Sequence, residues 1–211
     1  MKQKSPPSEH FLRRTSTSAE RNAKPILEIL RTILPENSAV LEIGSGTGQH
    51  GIMFAKSLTS IRWIPSDYDV ANLDSIKAWN RTNVATTPCP PRLIDAAELD
   101  WDISLTDNIF AIVAINVIHI SSWSVTKGIL LGAQKLLPSQ GILYFYGPFK
   151  QTGIVTAQGN EIFDAQLRTQ NTTWGLRNLN DIETLAENHD LKLEQTIQMP
   201  ANNLSVIFRK N

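Results

Sequence analysis

Residues 39–48 read AVLEIGSGTG, an apolar run that leads directly into three glycines at alternate positions. The run AVLEI predicts a buried strand, and the glycines predict a tight turn into a helix that begins at Gln49. Glycine lets the backbone approach a ligand closely, and the start of a helix offers free N–H groups. We therefore predict a ligand-binding loop that comprises Glu42, Gly44, Ser45, Gly46 and Gly48.

The rest of the chain repeats this alternation of strand and helix. Further strands are predicted at residues 61–66, 92–96, 109–115 and 142–146, with helical periodicity between them. Two β-rich runs at residues 191–199 and 204–210 are joined by the turn PANN and predict a closing hairpin. The pattern predicts an α/β fold with a mostly parallel seven-stranded sheet, helices on both faces and a C-terminal β-hairpin.

The length of 211 residues suits one domain. We predict a flexible N-terminal segment at residues 1–17 and a single domain at residues 18–211. Its first helix is predicted to follow Ser18 as N-cap and to stop at Pro35. Arg21 then lies where the helix could reach the carboxylate of a ligand, which the fork of a guanidinium matches. A solvated surface arginine is the alternative.

Composition restricts the classes of function. Lys plus Arg and Asp plus Glu both number 20, so the formal net charge is zero and we expect neither nucleic acid nor membrane as a partner. Cys89 is the one cysteine, which excludes an intrachain disulfide and fits a cytoplasmic location. The four histidines show no ligand spacing, so we expect no metal. The oligomeric state stays open.

Two carboxylates follow predicted strands. Asp67 ends the second strand, where an acidic side chain can accept hydrogen bonds from ribose hydroxyls; the alternative is that Asp67 or Asp69 caps the next helix. Asp95 follows the third strand as a second candidate ligand-binding carboxylate. Other acidic side chains close by compete with it for this role, namely Glu98, Asp100 and Asp102.

Polar side chains also follow the later strands, at the edge where open α/β sheets bind ligands. Asn116 and His119 follow the fourth strand and are the candidate catalytic residues, with His119 as a possible proton acceptor or a structural hydrogen-bonding group. A predicted rim for the substrate comprises Tyr146 after the fifth strand, Trp174 as part of a lid, and Asn202 with Asn203 in the hairpin turn. The asparagines have a second explanation, since Asn tolerates left-handed backbone angles.

The strings LEIGSGTGQH, PSDYD, NVIHI, YGPF, NEIFD, WGLR and MPANNL together resemble the methyltransferase-like 26 family, also catalogued as domain of unknown function 938. The resemblance runs from Ser18 to Phe208, and the family is similar to class I S-adenosylmethionine-dependent methyltransferases. It implies S-adenosylmethionine as cofactor, with the three glycines of the loop along its methionine and ribose portion. It further implies that Asp67 holds the ribose and that Asp95 approaches the adenine. With this cofactor, we predict that Arg21 reaches its carboxylate and that Asn116 also contacts it.

The expected function is methyl transfer from S-adenosylmethionine to a small-molecule or protein acceptor. The fourth strand ends in Asn116-Val-Ile-His119 and not in the tetrapeptide (D/N)-P-P-(Y/F) of enzymes that methylate planar amino groups, which disfavours a nucleic-acid base. One alternative is a cofactor-binding module that acts through a protein partner. Another is a nicotinamide dehydrogenase, which the spacing G-x-G-x-G and the terminal hairpin disfavour.

Overall fold

The computed structural model describes residues 13–82, 88–98 and 100–211. Helices and strands alternate through the first two thirds of the described chain, and the last third ends in two long strands. The helices are α1 (Thr17–Ile33), α2 (Gln49–Ser57), α3 (Val70–Arg81), α4 (Trp123–Leu136), α5 (Gln158–Gln170) and α6 (Leu179–Glu187). The strands are β1 (Ala39–Ile43), β2 (Arg62–Asp67), β3 (Arg92–Leu93), β4 (Ile109–Ile115), β5 (Ile142–Gly147), β6 (Phe149–Lys150), β7 (Arg177–Asn178), β8 (Leu191–Met199) and β9 (Asn203–Lys210).

Seven of these strands form one sheet in the order β3-β2-β1-β4-β5-β9-β8. The first five strands pair in parallel, whereas β9 runs antiparallel to both β5 and β8. The strand β8 therefore runs in the same direction as β1 to β5, and the β8–β9 turn lies at the carboxyl edge of the parallel strands. The predicted sheet and its C-terminal hairpin are confirmed.

The core has two layers, one on each face of the sheet. Consecutive strand residues point to opposite faces, so Val40 packs with α1 and α2 while Leu41 packs with α4 and α6. Each layer contains aromatic side chains that are fully buried, such as Trp63 in the first and Phe208 in the second. Both faces are apolar because helices cover both of them, as predicted.

Several local predictions differ from the structure. Ser16, not Ser18, caps α1: Ser16 has extended backbone angles and its Oγ accepts from the N–H of Ala19 at 3.4 Å. The prediction of Ser18 as the N-cap is wrong, because Ser18 already lies in the first turn of the helix. The third strand pairs only at Arg92–Leu93, and the short parallel sheet of β6 and β7 was not predicted.

The predicted boundary between the flexible segment and the domain, at residues 17 and 18, falls inside α1, which begins at Thr17. Residues 1–12 of the predicted flexible segment lie outside the described residues. In the described chain, no helix combines the length and the apolar character needed to cross a membrane.

Candidate functional site

The turn from β1 into α2 has left-handed backbone angles at all three of its glycines, with φ of +67° at Gly44, +55° at Gly46 and +88° at Gly48. A Cβ atom added at Gly44 would lie 2.7 Å from Cγ2 of Val117, and one at Gly48 would lie 2.9 Å from Cγ1 of Ile76. At Gly46, no atom of the described residues comes within 4 Å of such a Cβ. Packing therefore requires the outer two glycines, while Gly46 faces open space in which a ligand can approach its backbone.

Glu42 and Ser45 lie beneath this turn, with only 1% and 6% of their surface exposed. One carboxylate oxygen of Glu42 accepts from Oγ of Ser45 at 2.8 Å and from Nε1 of Trp63 at 3.0 Å. Ser45 in turn donates its N–H to the carbonyl of Ser66 at 2.8 Å. Both residues were predicted to contact the ligand; the structure instead gives them bonds that hold the turn against β2.

Burial raises the pKa of Glu42 to about 7, against the lowering effect of its hydrogen bonds from Trp63 and Ser45. The charge of Asp67 adds to this increase. A buried carboxyl that is half protonated near neutral pH therefore supports the glycine turn.

Asp67 joins the end of β2 to the same turn. One oxygen accepts from the N–H of Gly46 at 2.8 Å, and the other accepts from the N–H of Asp69 and from Nδ2 of Asn72, both at 3.0 Å. Asp69 is the N-cap of α3, since its side chain accepts from the N–H of Ala71. The capping role that sequence left open thus belongs to Asp69. Asp67 is 3% exposed, and its carboxylate binds the backbone of Gly46 directly.

The segment that carries Asp95 pairs with the backbone of Asp67. The N–H of Ile94 donates to the carbonyl of Asp67 at 3.1 Å, which sets the chain that carries Asp95 beside the end of β2. The Asp95 side chain is exposed and accepts from the N–H of Ala97 at 2.9 Å. Of its competitors, Asp100 instead forms an exposed ion pair with Lys135 at 3.5 Å.

A second group of residues surrounds the end of β4. Asn116 has a left-handed φ of +57°, which is uncommon outside glycine, and its N–H donates to the carbonyl of Tyr146 at 2.8 Å. The next turn places His119 under Gly147, where a Cβ would lie 2.9 Å from Cε1 of the histidine. These two backbone features bring the ends of β4 and β5 together with the imidazole between them.

The ring of His119 is 2% exposed and packs edge-on against Phe163, with 5.8 Å between ring centroids. Its Nδ1 is buried without a hydrogen-bond partner among the described residues. Burial, with the charge of Arg177, lowers the pKa of His119 to about 4. At neutral pH the imidazole is therefore uncharged, with a buried ring nitrogen that the protein leaves unpaired.

A cavity of about 520 Å³ opens at this edge of the sheet. It brings together predicted residues from four parts of the chain: Arg21 in α1, Asn116 and His119 after β4, Tyr146 in β5, and Asn203 at the β8–β9 turn. The remaining lining residues are Ser18, Asn22, Ile120, Pro148, Asn160, Phe163, Pro200 and Ala201. Burial raises the pKa of the Tyr146 hydroxyl, and its neighbours Asn22 and Asn203 act against this rise.

The helix α1 is held over this edge by a buried contact. Asn22 Oδ1 and His50 Nε2 are 2.8 Å apart, and burial lowers the pKa of His50 to about 4. This contact joins α1 to α2, the helix that follows the glycine turn. Because Arg21 directly precedes Asn22, the contact between Asn22 and His50 also fixes the position of Arg21 on the cavity wall.

Two residues of the predicted rim lie elsewhere. Trp174 is half-buried in a turn, with its N–H donating to the carbonyl of Asn171, and is not among the described residues that line the cavity. Asn202 has a φ of +56° and borders the neighbouring groove under Val155 and Gln198. The lid role of Trp174 and the rim role of Asn202 are therefore not supported by their positions.

Sequence reasoning missed Asn160, Phe163 and Arg177. The first two lie three residues apart on α5, a spacing that places them on one helical face, but nothing local indicated that this face borders β4. Arg177 donates to the carbonyls of Ile118 at 3.0 Å and Thr173 at 2.8 Å and stacks on Trp123. It thereby holds the turn that carries His119.

Strand order, the closing hairpin and the glycine turn at the carboxyl edge together define a class I methyltransferase-like fold. Within that class, the chain belongs to the family described as protein of unknown function DUF938, whose model matches residues 13–210.

Solved structures share this fold at low sequence identity. Mitomycin 7-O-methyltransferase MmcR superposes with a TM-score of 0.74 at 14% identity over 96% of this chain and 57% of that one. Human N-acetylserotonin methyltransferase, solved with S-adenosylmethionine, gives 0.72 at 12% over 96% and 55%. An O-methyltransferase family 2 protein from Planctomyces limnophilus, solved with apigenin, gives 0.70 at 16% over 97% and 62%. This chain thus spans 55–62% of the length of these three proteins.

Proposed function

We propose that the protein is an S-adenosylmethionine-dependent methyltransferase with a small-molecule acceptor. The observation that carries the proposal is the open face of Gly46 beside the Asp67 carboxylate, next to a cavity that ends at an unpaired histidine. The first part fits a nucleoside-containing cofactor and the second part fits an acceptor. Both are formed at one edge of the sheet, so their ligands can meet there.

The residues at the glycine turn fit the proposed cofactor. Gly46 presents backbone without a side chain, and Asp67 and Asp95 present carboxylates that accept hydrogen bonds from hydroxyl and amino groups. When bound, S-adenosylmethionine supplies a methyl group that its positively charged sulfur activates. Asn116 lines the acceptor cavity, so it would contact the cofactor on the side that faces the acceptor.

The contribution of the chain's own residues is to position the two ligands. Because the methyl group arrives activated, holding the two ligands in register supplies most of the rate. Burial keeps His119 uncharged at neutral pH and disfavours its protonated form, so its ring serves as a hydrogen-bonding partner of the acceptor rather than as a strong base. The amides of Asn22, Asn116 and Asn203 orient a polar acceptor without adding charge.

The shared fold supports the methyltransferase part of this proposal. Two of the neighbours are named for a small molecule, as a mitomycin 7-O-methyltransferase and an N-acetylserotonin methyltransferase. The resemblance to the methyltransferase-like 26 family covers the same loop and strand ends. We keep the expectations of a cytoplasmic location and of no nucleic-acid or membrane partner as part of the proposal.

Calorimetric titration with S-adenosylmethionine and with its demethylated product tests the cofactor. We expect binding in the micromolar range, which corresponds to roughly −8 kcal/mol. Asp67→Ala should weaken it by about 1–3 kcal/mol, the range for losing a charge-assisted hydrogen-bonding partner. Asp69→Ala is the matched control, since Asp69 caps α3 and should leave the affinity unchanged.

Incubation with cofactor labelled in its methyl group and with a small-molecule extract tests catalysis. Transfer of label to a small molecule supports the proposal. Tight cofactor binding without any transfer, to small molecules or to proteins, would instead favour the cofactor-binding module that acts through a protein partner. If titration with millimolar cofactor gives no heat of binding, the proposal of a methyltransferase that depends on S-adenosylmethionine is wrong.

A further inference from the structure

An exposed cation lies on the wall of the acceptor cavity. This residue, Arg21, makes no hydrogen bond or ion pair with any residue that the structure describes. None of the described residues that line the cavity carries a carboxylate. A carboxylate on the ligand would match the guanidinium in geometry and charge, whereas a cationic ligand would meet only repulsion.

A second residue of the lining requires a different group. The ring of His119 is 2% exposed and borders the cavity, and its Nδ1 is enclosed beneath Gly147 without a partner among the described residues. The nitrogen that a ligand in the cavity can reach is therefore Nε2, which forms no hydrogen bond with a described residue. An uncharged imidazole has one N–H donor and one acceptor nitrogen. A hydroxyl group both donates and accepts, so it pairs with this ring in either tautomer.

Part of the remaining lining is apolar. Phe163 lies edge-on to His119, and Ile120, Pro148 and Pro200 line the cavity beside it. A cavity of about 520 Å³ is in the range that holds a small organic molecule. An apolar frame between the two polar ends of the ligand fits these walls.

We infer that the cavity binds a small hydroxy acid, with its carboxylate at Arg21, its hydroxyl at His119 and its apolar frame against Phe163. That this ligand is the methyl acceptor rests on the proposed function. Its binding does not, because every residue in the inference belongs to the cavity and none to the glycine turn. The inference also separates Arg21 from the cofactor carboxylate that the sequence had suggested for it.

Binding of matched probes to the full chain tests the inference without any cofactor. The acids are para-hydroxybenzoate and para-hydroxyphenylacetate; para-hydroxybenzamide replaces the carboxylate by an uncharged group, and para-hydroxybenzylamine replaces it by a cation. We expect at least one acid to bind about tenfold more tightly than the amide, and the amine to bind most weakly. In the Arg21→Gln protein this preference for the acid should disappear.

The control is Arg31→Gln, a charge loss on the last turn of the same helix, where Arg31 pairs with Glu28. It should keep the preference for the acid. A second variant, His119→Leu, should abolish the preference of the wild-type protein for para-hydroxybenzoate over para-methoxybenzoate. Chemical denaturation of each variant establishes that the protein titrated is folded.

Equal affinity for acid, amide and amine, or no binding of either acid by the wild-type protein, would overturn the inference. So would an Arg21→Gln protein that loses affinity for S-adenosylmethionine and keeps its preference for the acids, because Arg21 would then belong to the cofactor. The two proposals fail separately. If the acids bind and S-adenosylmethionine does not, the cavity ligand stands and the methyltransferase proposal falls.

Discussion

At the scale of single residues, two residues at the glycine turn have different tasks. Gly46 borders open space and keeps the approach to its backbone free, while Glu42 is enclosed and bonded to Ser45 and Trp63. The first residue is therefore expected to govern ligand affinity, and the second is expected to govern stability. Substitution at each position separates the two tasks.

Gly46→Val should abolish binding of S-adenosylmethionine and leave most of the fold intact. The branched side chain enters the open space, and its left-handed backbone costs about 1–3 kcal/mol of unfolding free energy. Gly153→Val is the matched control, since Gly153 has a φ of +79° and equally open surroundings outside the site. Calorimetry with denaturant unfolding measures both effects, and equal cofactor affinity in the two variants would contradict the prediction.

Glu42 should make stability fall as pH rises from 4.5 to 7. Between these values the unfolded carboxyl has lost its proton and the folded one, with its pKa of about 7, retains it. The contribution is fully present below pH 4.5 and is lost on deprotonation, which amounts to about 3 kcal/mol for a shift of this size. The unfolding free energy of Glu42→Gln minus that of the wild type should increase by this amount across the window.

The variant must be compared with the wild type at each pH, because two buried histidines change the unfolding free energy with pH in the opposite direction. His50 and His119 have pKa values of about 4, so the unfolded state binds more protons than the folded state between pH 4 and 6.5. They raise stability with pH in that window, and their effect cancels in the difference between variant and wild type. A difference that is constant with pH would show that Glu42 does not titrate as described.

At the scale of elements, the β8–β9 turn combines a structural residue with a cavity residue. Asn202 adopts a left-handed conformation and its carbonyl accepts from Nδ2 of Asn160 at 3.0 Å. Asn203 lines the cavity beside Tyr146. The turn therefore links the end of the sheet to α5, and it forms one wall of the acceptor cavity.

The double change Asn202→Ala, Asn203→Ala should leave cofactor affinity unchanged and reduce turnover of an identified acceptor. The single changes divide this effect: Asn203→Ala should carry the loss of turnover, and Asn202→Ala should lower the unfolding free energy by roughly 1–2 kcal/mol because alanine tolerates its backbone angles poorly. Asn202→Gly, which tolerates these angles, is the control for stability. If the Asn203→Ala protein keeps normal turnover per folded molecule, the β8–β9 turn has a structural role only.

At the scale of the whole molecule, the proposed ligand sites join parts of the chain that meet only in the folded state. The cofactor residues come from β1, β2 and the segment after β3, while the cavity adds α1, β4, β5, α5 and the β8–β9 turn. A ligand that binds there binds the folded state and not the unfolded chain. Binding must therefore raise thermal stability.

We expect the demethylated cofactor product, at a hundred times its Kd, to stabilise the fold by about 2.7 kcal/mol. For a protein of this size, that stabilisation raises Tm by roughly 5–10 °C. Differential scanning calorimetry of the wild type and of Gly46→Val measures it. The variant should show no increase, and an equal increase in both proteins would place the ligand away from the glycine turn.

The sequence by itself determined the strand–turn–helix unit at residues 39–57 and the alternation that builds the sheet, because both depend on local patterns of apolar residues and glycine. It also predicted the hairpin and the polar ends of β4 and β5. The cap at Ser16 was missed by two residues, since the run Ser16-Thr17-Ser18 offers several possible starts for one helix.

Only the tertiary structure decided what the polar residues do. Glu42 is buried and bonded to Ser45 and Trp63, so it supports the turn, and Trp174 and Asn202 are not among the described residues that line the cavity of Asn160 and Phe163. His119 contacts Phe163 from a position 44 residues away in the chain, so its unpaired state follows from packing. The periodicity of a sequence indicates which face of an element is buried, but the neighbours across that face come from distant segments and are fixed only when the layers pack together.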